Sequence, residues 1–274
     1  MEFKTLSGTT KIPVLGLGTW KMGSSLTTNR SRDEDYIKAI KYAISLGITH
    51  IDTAEIYGAG HSEELVGEAV KLFDRKKLFI TTKVSPHHLS YQGIIKSCEN
   101  SLKRLNLKFI DLYLIHWHNP FASLKNALAA FDTLVSQGLI RFIGVSNFSV
   151  KQFKNAQNYS KNRIVTNQVE YSLLERDPEK ELLIYCEKEK IILTAYTPLA
   201  SGRLTQKGLF PILDKIASKC NKTPAQVALR WLIEKPPVIV IPKASTKAHI
   251  DETTGSVGWK LAPQDKEELD QNFK

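Results

Sequence analysis

The residues Ile51-Asp52-Thr53-Ala54-Glu55-Ile56-Tyr57-Gly58 read as a short apolar strand that leads directly into two polar groups, Asp52 and Tyr57. Two later apolar runs have the same form and lead into Lys83 and His116. If these strands are parallel and close into a barrel, their ends open on one face, where barrel enzymes keep their active sites. A carboxylate, a phenol, an ammonium and an imidazole are together the groups needed to move a proton onto a carbonyl oxygen.

Apolar runs of strand length alternate with stretches of helical periodicity along the chain, which indicates repeated strand–helix units on a parallel sheet. Eight such strands are predicted, near residues 14–18, 48–51, 78–82, 110–115, 141–145, 164–168, 191–196 and 238–241. Residues 4–11 resemble an additional hairpin. The expected fold is therefore α/β, a (β/α)8 TIM barrel formed by a single domain over residues 1–274, with an N-terminal β-hairpin capping its bottom.

Capping residues are predicted at the starts of five helices, because a side-chain oxygen there accepts from the free N–H groups of the first turn. They are Ser90, Ser149, Asp177, Thr223 and Thr246. Proline follows Asp177 and Thr223, and proline is favoured at the first helical position.

The composition fits one large core and a reducing compartment. The chain has 274 residues, 42% of them hydrophobic. No apolar run approaches the roughly 20 residues that a membrane span needs. The first residues lack the basic-then-apolar pattern of a secretion signal. The cysteines are three in number and far apart, which argues against a disulfide framework. We expect a cytoplasmic protein with no membrane partner.

The formal net charge of +10 permits two interpretations. One is nucleic-acid binding. The other is a lysine-rich solvated surface whose positive potential also serves an anionic ligand. The lysines are scattered, and the basic run Arg75-Lys76-Lys77 has no interleaved aromatic residues on which bases would stack. The second interpretation is favoured, and no nucleic-acid partner is expected.

Six motifs follow one another along the chain. They are Gly16-Leu17-Gly18-Thr19-Trp20, His50-Ile51-Asp52-Thr53-Ala54-Glu55-Ile56-Tyr57-Gly58, Leu112-Tyr113-Leu114-Ile115-His116-Trp117, Ile143-Gly144-Val145-Ser146-Asn147-Phe148, Thr194-Ala195-Tyr196-Thr197-Pro198-Leu199 and Ile241-Pro242-Lys243-Ala244-Ser245. With these motifs in this order, the chain resembles the aldo-keto reductases over essentially its whole length, and it looks most similar to their short bacterial and archaeal members. The resemblance implies a barrel that binds NADP(H) without a Rossmann domain and reduces aldehydes or ketones to alcohols.

The resemblance makes Tyr57 the proton donor. A free tyrosine has a pKa of about 10, so we expect the ammonium of Lys83 to lower the pKa of Tyr57. Asp52 would keep Lys83 charged and oriented, and His116 would orient the substrate carbonyl. Each residue alone also has a structural explanation, such as an aspartate that caps a turn. The four together favour catalysis.

The resemblance also implies a set of cofactor contacts. Ser146, Asn147 and Gln168 match the ligands of the nicotinamide carboxamide, since amide and hydroxyl groups suit an amide that donates and accepts. Tyr196 matches the ring that stacks under the nicotinamide, although a tyrosine there could also pack on the barrel rim. The whole expected set is Gly18, Thr19, Trp20, Ser146, Asn147, Gln168, Tyr196, Thr197, Pro198, Leu199, Ser201, Gly202, Lys243, Ala244, Ser245, Thr246, His249, Glu252 and Thr253.

The phosphate end of this set departs from many family members. Lys243 and Ser245 beside a helix that Thr246 caps match a pocket for the adenosine 2′-phosphate. His249 stands where many members have arginine, and Thr253 where many have asparagine. Histidine lacks the guanidinium fork. We therefore expect NADPH as cofactor, with NADH accepted more readily than in members that carry the arginine.

The substrate is expected at Trp20, Tyr57, His116 and Trp117. The loop after His116 is short, which predicts an open pocket, and Tyr91 and His87 are further candidate walls. We expect the protein to be a monomer or a weak dimer. Its expected partner is a small-molecule carbonyl substrate.

A metal site is not expected. His116-x-His118 and His87-His88 offer imidazoles, but no cysteine or carboxylate completes a ligand set. The alternative to a reductase is a nicotinamide-nucleotide-binding regulatory or structural protein of the same fold, and the intact catalytic set argues against it.

Overall fold

The structure is a computed structural model that describes residues 1–273. Eight parallel strands follow one another around a sheet in chain order, each hydrogen-bonded to the next. They are β3 Gly16–Gly18, β4 His50–Asp52, β5 Phe79–Val84, β6 Ile110–Ile115, β7 Ile140–Ser146, β8 Ile164–Glu170, β9 Ile192–Tyr196 and β10 Val238–Val240.

The first and last strands meet and close the sheet. The backbone N–H of Val240 donates to the carbonyl of Val14 at 2.9 Å, and Gly18 donates to the carbonyl of Pro242 at 3.0 Å. The predicted TIM barrel is confirmed, and a parallel barrel of this kind leaves the carboxyl ends of all its strands on one face.

Helices connect the strands and cover the outside of the barrel. They are α1 Asp33–Ser45, α2 His61–Val70, α3 Tyr91–Leu105, α4 Leu124–Ser136, α5 Val150–Tyr159, α6 Leu182–Glu189, α7 Pro211–Lys219, α8 Pro224–Ile233, α9 Lys247–Thr254 and α10 Pro263–Asn272. Their apolar faces form one buried layer with the outer face of the sheet. No helix within residues 1–273 is long and apolar enough to cross a membrane.

The predicted hairpin is present as the antiparallel strands β1 Phe3–Ser7 and β2 Thr10–Pro13. Leu6 and Ile12 are buried in a second apolar cluster with Phe79, Leu112 and other inward residues of the barrel strands. The hairpin therefore closes the bottom of the barrel, and the opposite face is the one available for a ligand.

Four of the five predicted caps are confirmed. The side chains of Ser90, Ser149, Thr223 and Thr246 accept hydrogen bonds from the first turns of α3, α5, α8 and α9. The prediction for Asp177 was wrong. Its carboxylate accepts from Lys180 at 2.7 Å, a 3-10 turn spans Asp177–Glu179 and α6 begins only at Leu182.

Candidate active site

Tyr57 begins a tight turn directly beyond β4. A 3-10 turn covers Tyr57–Gly60, and Gly58 has a φ of 58° inside it. A Cβ on Gly58 would lie 2.7 Å from the carbonyl oxygen of Gly23, so the turn packs against the loop after β3 only because residue 58 is glycine. This packing fixes the backbone that carries the phenol.

The phenol of Tyr57 joins a buried relay. Lys83 Nζ lies 3.4 Å from Tyr57 Oη and 2.5 Å from Asp52 Oδ1. It also donates to the carbonyl of Thr53 at 2.9 Å. Lys83 and Asp52 are both buried, and a buried ion pair is stable only when its remaining polar atoms are bonded in this way. The strand ends therefore bring three of the four predicted groups into contact.

The direction of the Tyr57 pKa differs from the sequence expectation. Burial of the phenol raises the pKa of Tyr57, and the nearby Lys83 lowers it by less. Burial also acts on Lys83, but Asp52 and then Tyr57 outweigh it, so the pKa of Lys83 is raised. The predicted lowering of the Tyr57 pKa was wrong in its net sign, because desolvation of a buried phenolate exceeds the attraction of one ammonium.

His116 completes the predicted set from the end of β6. Its ring centroid lies 5.6 Å from that of Tyr57. Burial, with a smaller contribution from Lys83, lowers the pKa of His116 to about 3. Among the described residues, none hydrogen-bonds to its buried Nδ1. His116 is therefore a neutral imidazole beside the phenol, able to donate one N–H to a carbonyl.

A cavity of about 610 Å³ opens above these groups. Its lining includes Asp52, Tyr57, His116, Trp117 and Lys243. Lys83 lies beneath it, fully buried. The cavity thus connects the relay with the predicted phosphate pocket.

Most of the predicted cofactor residues line this cavity. They are Gly18, Thr19, Trp20, Ser146, Asn147, Gln168, Tyr196, Thr197, Pro198, Leu199, Ser201, Gly202, Lys243, His249, Glu252 and Thr253. Three others are adjacent to it. Ala244 is buried, Ser245 accepts from Lys243 at 2.9 Å, and Thr246 accepts from the backbone N–H of His249 at 3.3 Å.

The predicted carboxamide ligands form one hydrogen-bonded group. Ser146 donates its hydroxyl to the carbonyl of Gln168 at 2.8 Å, and the amide of Asn147 donates to Ser146 at 3.0 Å. Tyr196 donates its phenolic hydrogen to Asn147 Oδ1 at 3.0 Å, and burial raises the pKa of Tyr196 to about 12. These bonds hold polar groups at fixed positions along the cavity.

Part of the cavity lining carries positive charge. Burial lowers the pKa of Lys243, and the neighbouring cations Arg32 and Lys21 lower it further. Lys21 and Lys243 both line the cavity, and within residues 1–273 neither forms a salt bridge with a carboxylate. Mutually repelling cations without counterions suit an anionic ligand, so these residues fit a phosphate group.

Two of the four predicted wall residues line the cavity. Trp20 and Trp117 line the cavity and are 38% and 47% exposed, so the cavity is open to solvent beside them. Tyr91 was predicted wrongly, since its hydroxyl bonds to Thr133 at 2.9 Å on the outer helical layer. Neither Tyr91 nor His87 is among the described residues that line the cavity.

Five lining residues were not predicted from the sequence. They are Lys21, Ile56, Thr205, Ile241 and Pro242. Lys21 follows the first family motif, and Ile56, Ile241 and Pro242 lie inside other motifs, so the motifs could have identified these four. Thr205 lies beyond the quoted run after Tyr196, and only its position in the structure identifies it. Within residues 1–273, no cluster of three His, Cys, Asp or Glu side chains is arranged to hold a metal.

The pattern that describes the Aldo/keto reductase family matches residues 14–272. The chain belongs to this family. It is 37% identical to the methylglyoxal reductase YeaE of Escherichia coli over 97% of this chain and 93% of that one. The expected similarity to short bacterial members is confirmed.

Solved structures of the same family are similar to this chain in both fold and sequence. A thermostable aldo-keto reductase, Tm1743, crystallised with the inhibitor epalrestat, is 45% identical, with a TM-score of 0.95 over 99% of both chains. An aldo-keto reductase from Klebsiella pneumoniae in complex with NADPH is 33% identical, with a TM-score of 0.90 over 100% of this chain and 96% of that one. These relatives agree with the sequence expectation of an oxidoreductase.

Proposed function

We propose that the protein is an NADPH-dependent reductase that converts aldehydes and ketones to alcohols, with Tyr57 as the proton donor. The observation that carries the proposal is the buried contact of Tyr57 with Lys83, which is itself paired with Asp52 at 2.5 Å. A structural or regulatory nucleotide-binding protein has no need of an ammonium buried beneath a phenol.

The nicotinamide, when bound, supplies the hydride. The chain supplies the proton and the geometry. A carbonyl oxygen placed between Tyr57 and His116 receives a hydrogen bond from the neutral imidazole, and the phenol gives its proton to that oxygen. Lys83 stabilises the phenolate that remains, and Asp52 holds Lys83 charged. General acid catalysis of this kind contributes roughly 100- to 10,000-fold.

The binding roles follow the chemistry of the lining. Ser146, Asn147 and Gln168 would hold the carboxamide, and Tyr196 would stack on the ring. Residues 197–202 would cover the pyrophosphate, and Lys243 would meet the 2′-phosphate. His249 replaces a fixed guanidinium, so we also propose that NADH is accepted to a lesser degree.

The substrate end favours small and aromatic carbonyl compounds. Trp20, Ile56 and Trp117 present apolar surface there, and the two tryptophans are partly exposed. Methylglyoxal belongs to the class that this end would admit, in keeping with the name of the Escherichia coli relative. We further propose a single domain over residues 1–274 that works in the cytoplasm as a monomer or weak dimer, without nucleic-acid or membrane partners.

The test is oxidation of NADPH, followed by its absorbance, with a panel of methylglyoxal, aromatic aldehydes, aldoses and keto acids. We expect turnover of several panel members by the wild type. Tyr57→Phe keeps the ring and should lose at least about 100-fold in turnover, with NADPH affinity near that of the wild type. Cofactor binding without turnover of any panel member by the wild type would instead indicate the regulatory or structural alternative.

A further inference from the structure

A buried histidine outside the relay joins two carboxylates on different helices. His61 begins α2 and is 2% exposed. Its Nδ1 lies 2.7 Å from Glu64 Oε2, and its Nε2 lies 2.8 Å from Asp33 Oδ1. A carboxylate oxygen only accepts, so a ring nitrogen of His61 bonds to the carboxylate that it faces when it carries a hydrogen. The ring therefore bridges α2 to the first residue of α1.

The segment that this bridge holds borders the cavity. Residues 20–32 form all but the first residue of the connection from β3 to α1, and this segment begins with Trp20 and Lys21 on the cavity lining. Met22 near the start of the segment is buried in the core, but residues 26–32 are exposed, so this later part has no apolar anchor. A stretch with few buried contacts opens at low free energy unless polar contacts hold it.

The same segment packs on the turn that carries Tyr57. Gly58 donates its N–H to the carbonyl of Ser25 at 2.9 Å, and Thr28 donates its hydroxyl to the carbonyl of Gly58 at 3.1 Å. His61 packs directly against Gly23, where an added Cβ would lie 2.7 Å from the imidazole Cδ2. The bridge through His61 and the turn that carries Tyr57 are thus in direct contact with the same segment.

Trp20 is the residue of this segment whose side chain contacts the proposed proton donor, Tyr57. Its ring meets that of Tyr57 edge-on, with 4.8 Å between the centroids. We propose that His61 is a positioning residue, which by bridging Asp33 and Glu64 fixes residues 20–32 against the Tyr57 turn and so sets the position of Trp20 on Tyr57. The inference rests on the proposed reductase function.

Arg30 contacts the same two carboxylates as His61, but its side chain is exposed. It lies 2.9 Å from Glu64 and 3.7 Å from Asp33, and its side chain is 63% exposed. Exposed ion pairs contribute little because solvent screens them. The bridge through His61, whose ring is buried while its two carboxylates are partly exposed, is therefore the stronger of the two connections, and Arg30→Gln is a matched control.

Two conservative variants separate the bridge from a local role. Glutamine places its amide nitrogen where His61 has Nε2 and can keep the contact with Asp33. Asparagine places its amide nitrogen where His61 has Nδ1 and can keep only the contact with Glu64, inside α2. If His61 holds residues 20–32 in place, the contact with Asp33 is the one that matters. If His61 acts only at the start of α2, the contact with Glu64 is the one that matters.

The experiment compares kcat/KM for an aromatic aldehyde and the melting temperature in His61→Gln, His61→Asn and Arg30→Gln. We expect His61→Gln and Arg30→Gln to stay within a few-fold of the wild type. His61→Asn should fall by up to roughly 100-fold, because small displacements near reacting groups cost that much. Equal activity of the Gln and Asn variants, whatever their melting temperatures, would overturn the proposal.

Hydrogen exchange gives a second readout that does not depend on turnover. Amides of residues 20–32 should exchange faster in His61→Asn than in His61→Gln, while the barrel strands stay protected. Unchanged exchange in this segment would also overturn the proposal. An inactive wild type with the expected exchange pattern would instead count against the reductase function and leave the bridge through His61 intact.

Discussion

The side-chain amide of Gln168 donates to Asp52, with 2.8 Å between Nε2 and Oδ2. The other oxygen of the same carboxylate accepts from Lys83 at 2.5 Å. A carboxylate can only accept, so the amide nitrogen of Gln168 is fixed toward Asp52 and its oxygen remains for a donor in the cavity. The proton relay and the proposed carboxamide site therefore share one residue.

The first prediction tests this shared residue through Asp52→Asn. The introduced amide has one oxygen and one nitrogen in place of two oxygens. If its oxygen accepts from Lys83, its nitrogen faces Gln168, whose own amide must then flip so that its oxygen can accept. Both turnover and NADPH affinity should fall, by about 10-fold or more in turnover, since a buried Lys83 also loses its counter-charge. Adding Gln168→Glu returns a carboxylate to the pair and should recover part of both losses. Stopped-flow turnover and fluorescence titration of NADPH provide the measurements, and a double variant worse than either single one would argue against the coupling.

The second prediction concerns the cofactor phosphate. Lys243→Ala should raise the dissociation constant of NADPH by roughly 10- to 100-fold, the value of one charge-assisted hydrogen bond. That of NADH should change far less. Lys247→Ala is the control, because Lys247 begins the adjoining helix α9 but is already paired with Asp251 at 2.6 Å. Equal weakening of both cofactors by Lys243→Ala would mean that Lys243 does not contact the 2′-phosphate.

The third prediction is the pH profile of kcat/KM, which reports the groups of the free enzyme. Burial raises the pKa of Tyr57, and it lowers the pKa of His116 to about 3. The phenol must be protonated and the imidazole neutral, so activity should be lost only as pH rises through the Tyr57 pKa or falls through that of His116. The profile should be flat from about pH 5 to pH 9 and decline above about pH 10. A decline centred near neutrality would show that Lys83 outweighs burial at Tyr57 after all.

The fourth prediction concerns the buried carboxylate of Asp111 in β6. It accepts from the backbone N–H of Ile80 at 2.9 Å and forms ion pairs with Arg75 and Arg141 at 2.5 and 2.8 Å. Asp111→Ala leaves a buried N–H without its acceptor and should lower the free energy of unfolding by about 2–3 kcal/mol. Urea unfolding measures this change.

The exposed Asp177 serves as its control. Its pair with Lys180 is 78% and 77% exposed. Asp177→Ala should therefore change the free energy of unfolding by less than about 0.5 kcal/mol. A comparable loss in the two variants would show that burial is not what makes the Asp111 contacts stabilising.

The amino-acid sequence alone determined the barrel, four helix caps and the identity of the proposed catalytic groups. These features are local. Strand and helix periodicity, a hydroxyl before a helix and a polar residue after a strand are all read within a few residues. The parallel arrangement then puts the strand ends on one face, whatever the details of packing. Asp177 was predicted wrongly because two local uses of its carboxylate compete: it accepts from Lys180, three residues later, and not from the backbone of a first helical turn.

Only the tertiary structure decided the net direction of the Tyr57 pKa, the bond between Gln168 and Asp52, the outward position of Tyr91 and the bridge through His61. Each of these depends on how much solvent a group loses and which distant partner it meets. Gln168 and Asp52 are 116 positions apart in the chain, and His61 meets Asp33 only because neighbouring helices of the barrel pack together. Desolvation and long-range hydrogen bonds arise from the assembled core, so the sequence supplied the chemical groups while the fold fixed their charges and partners.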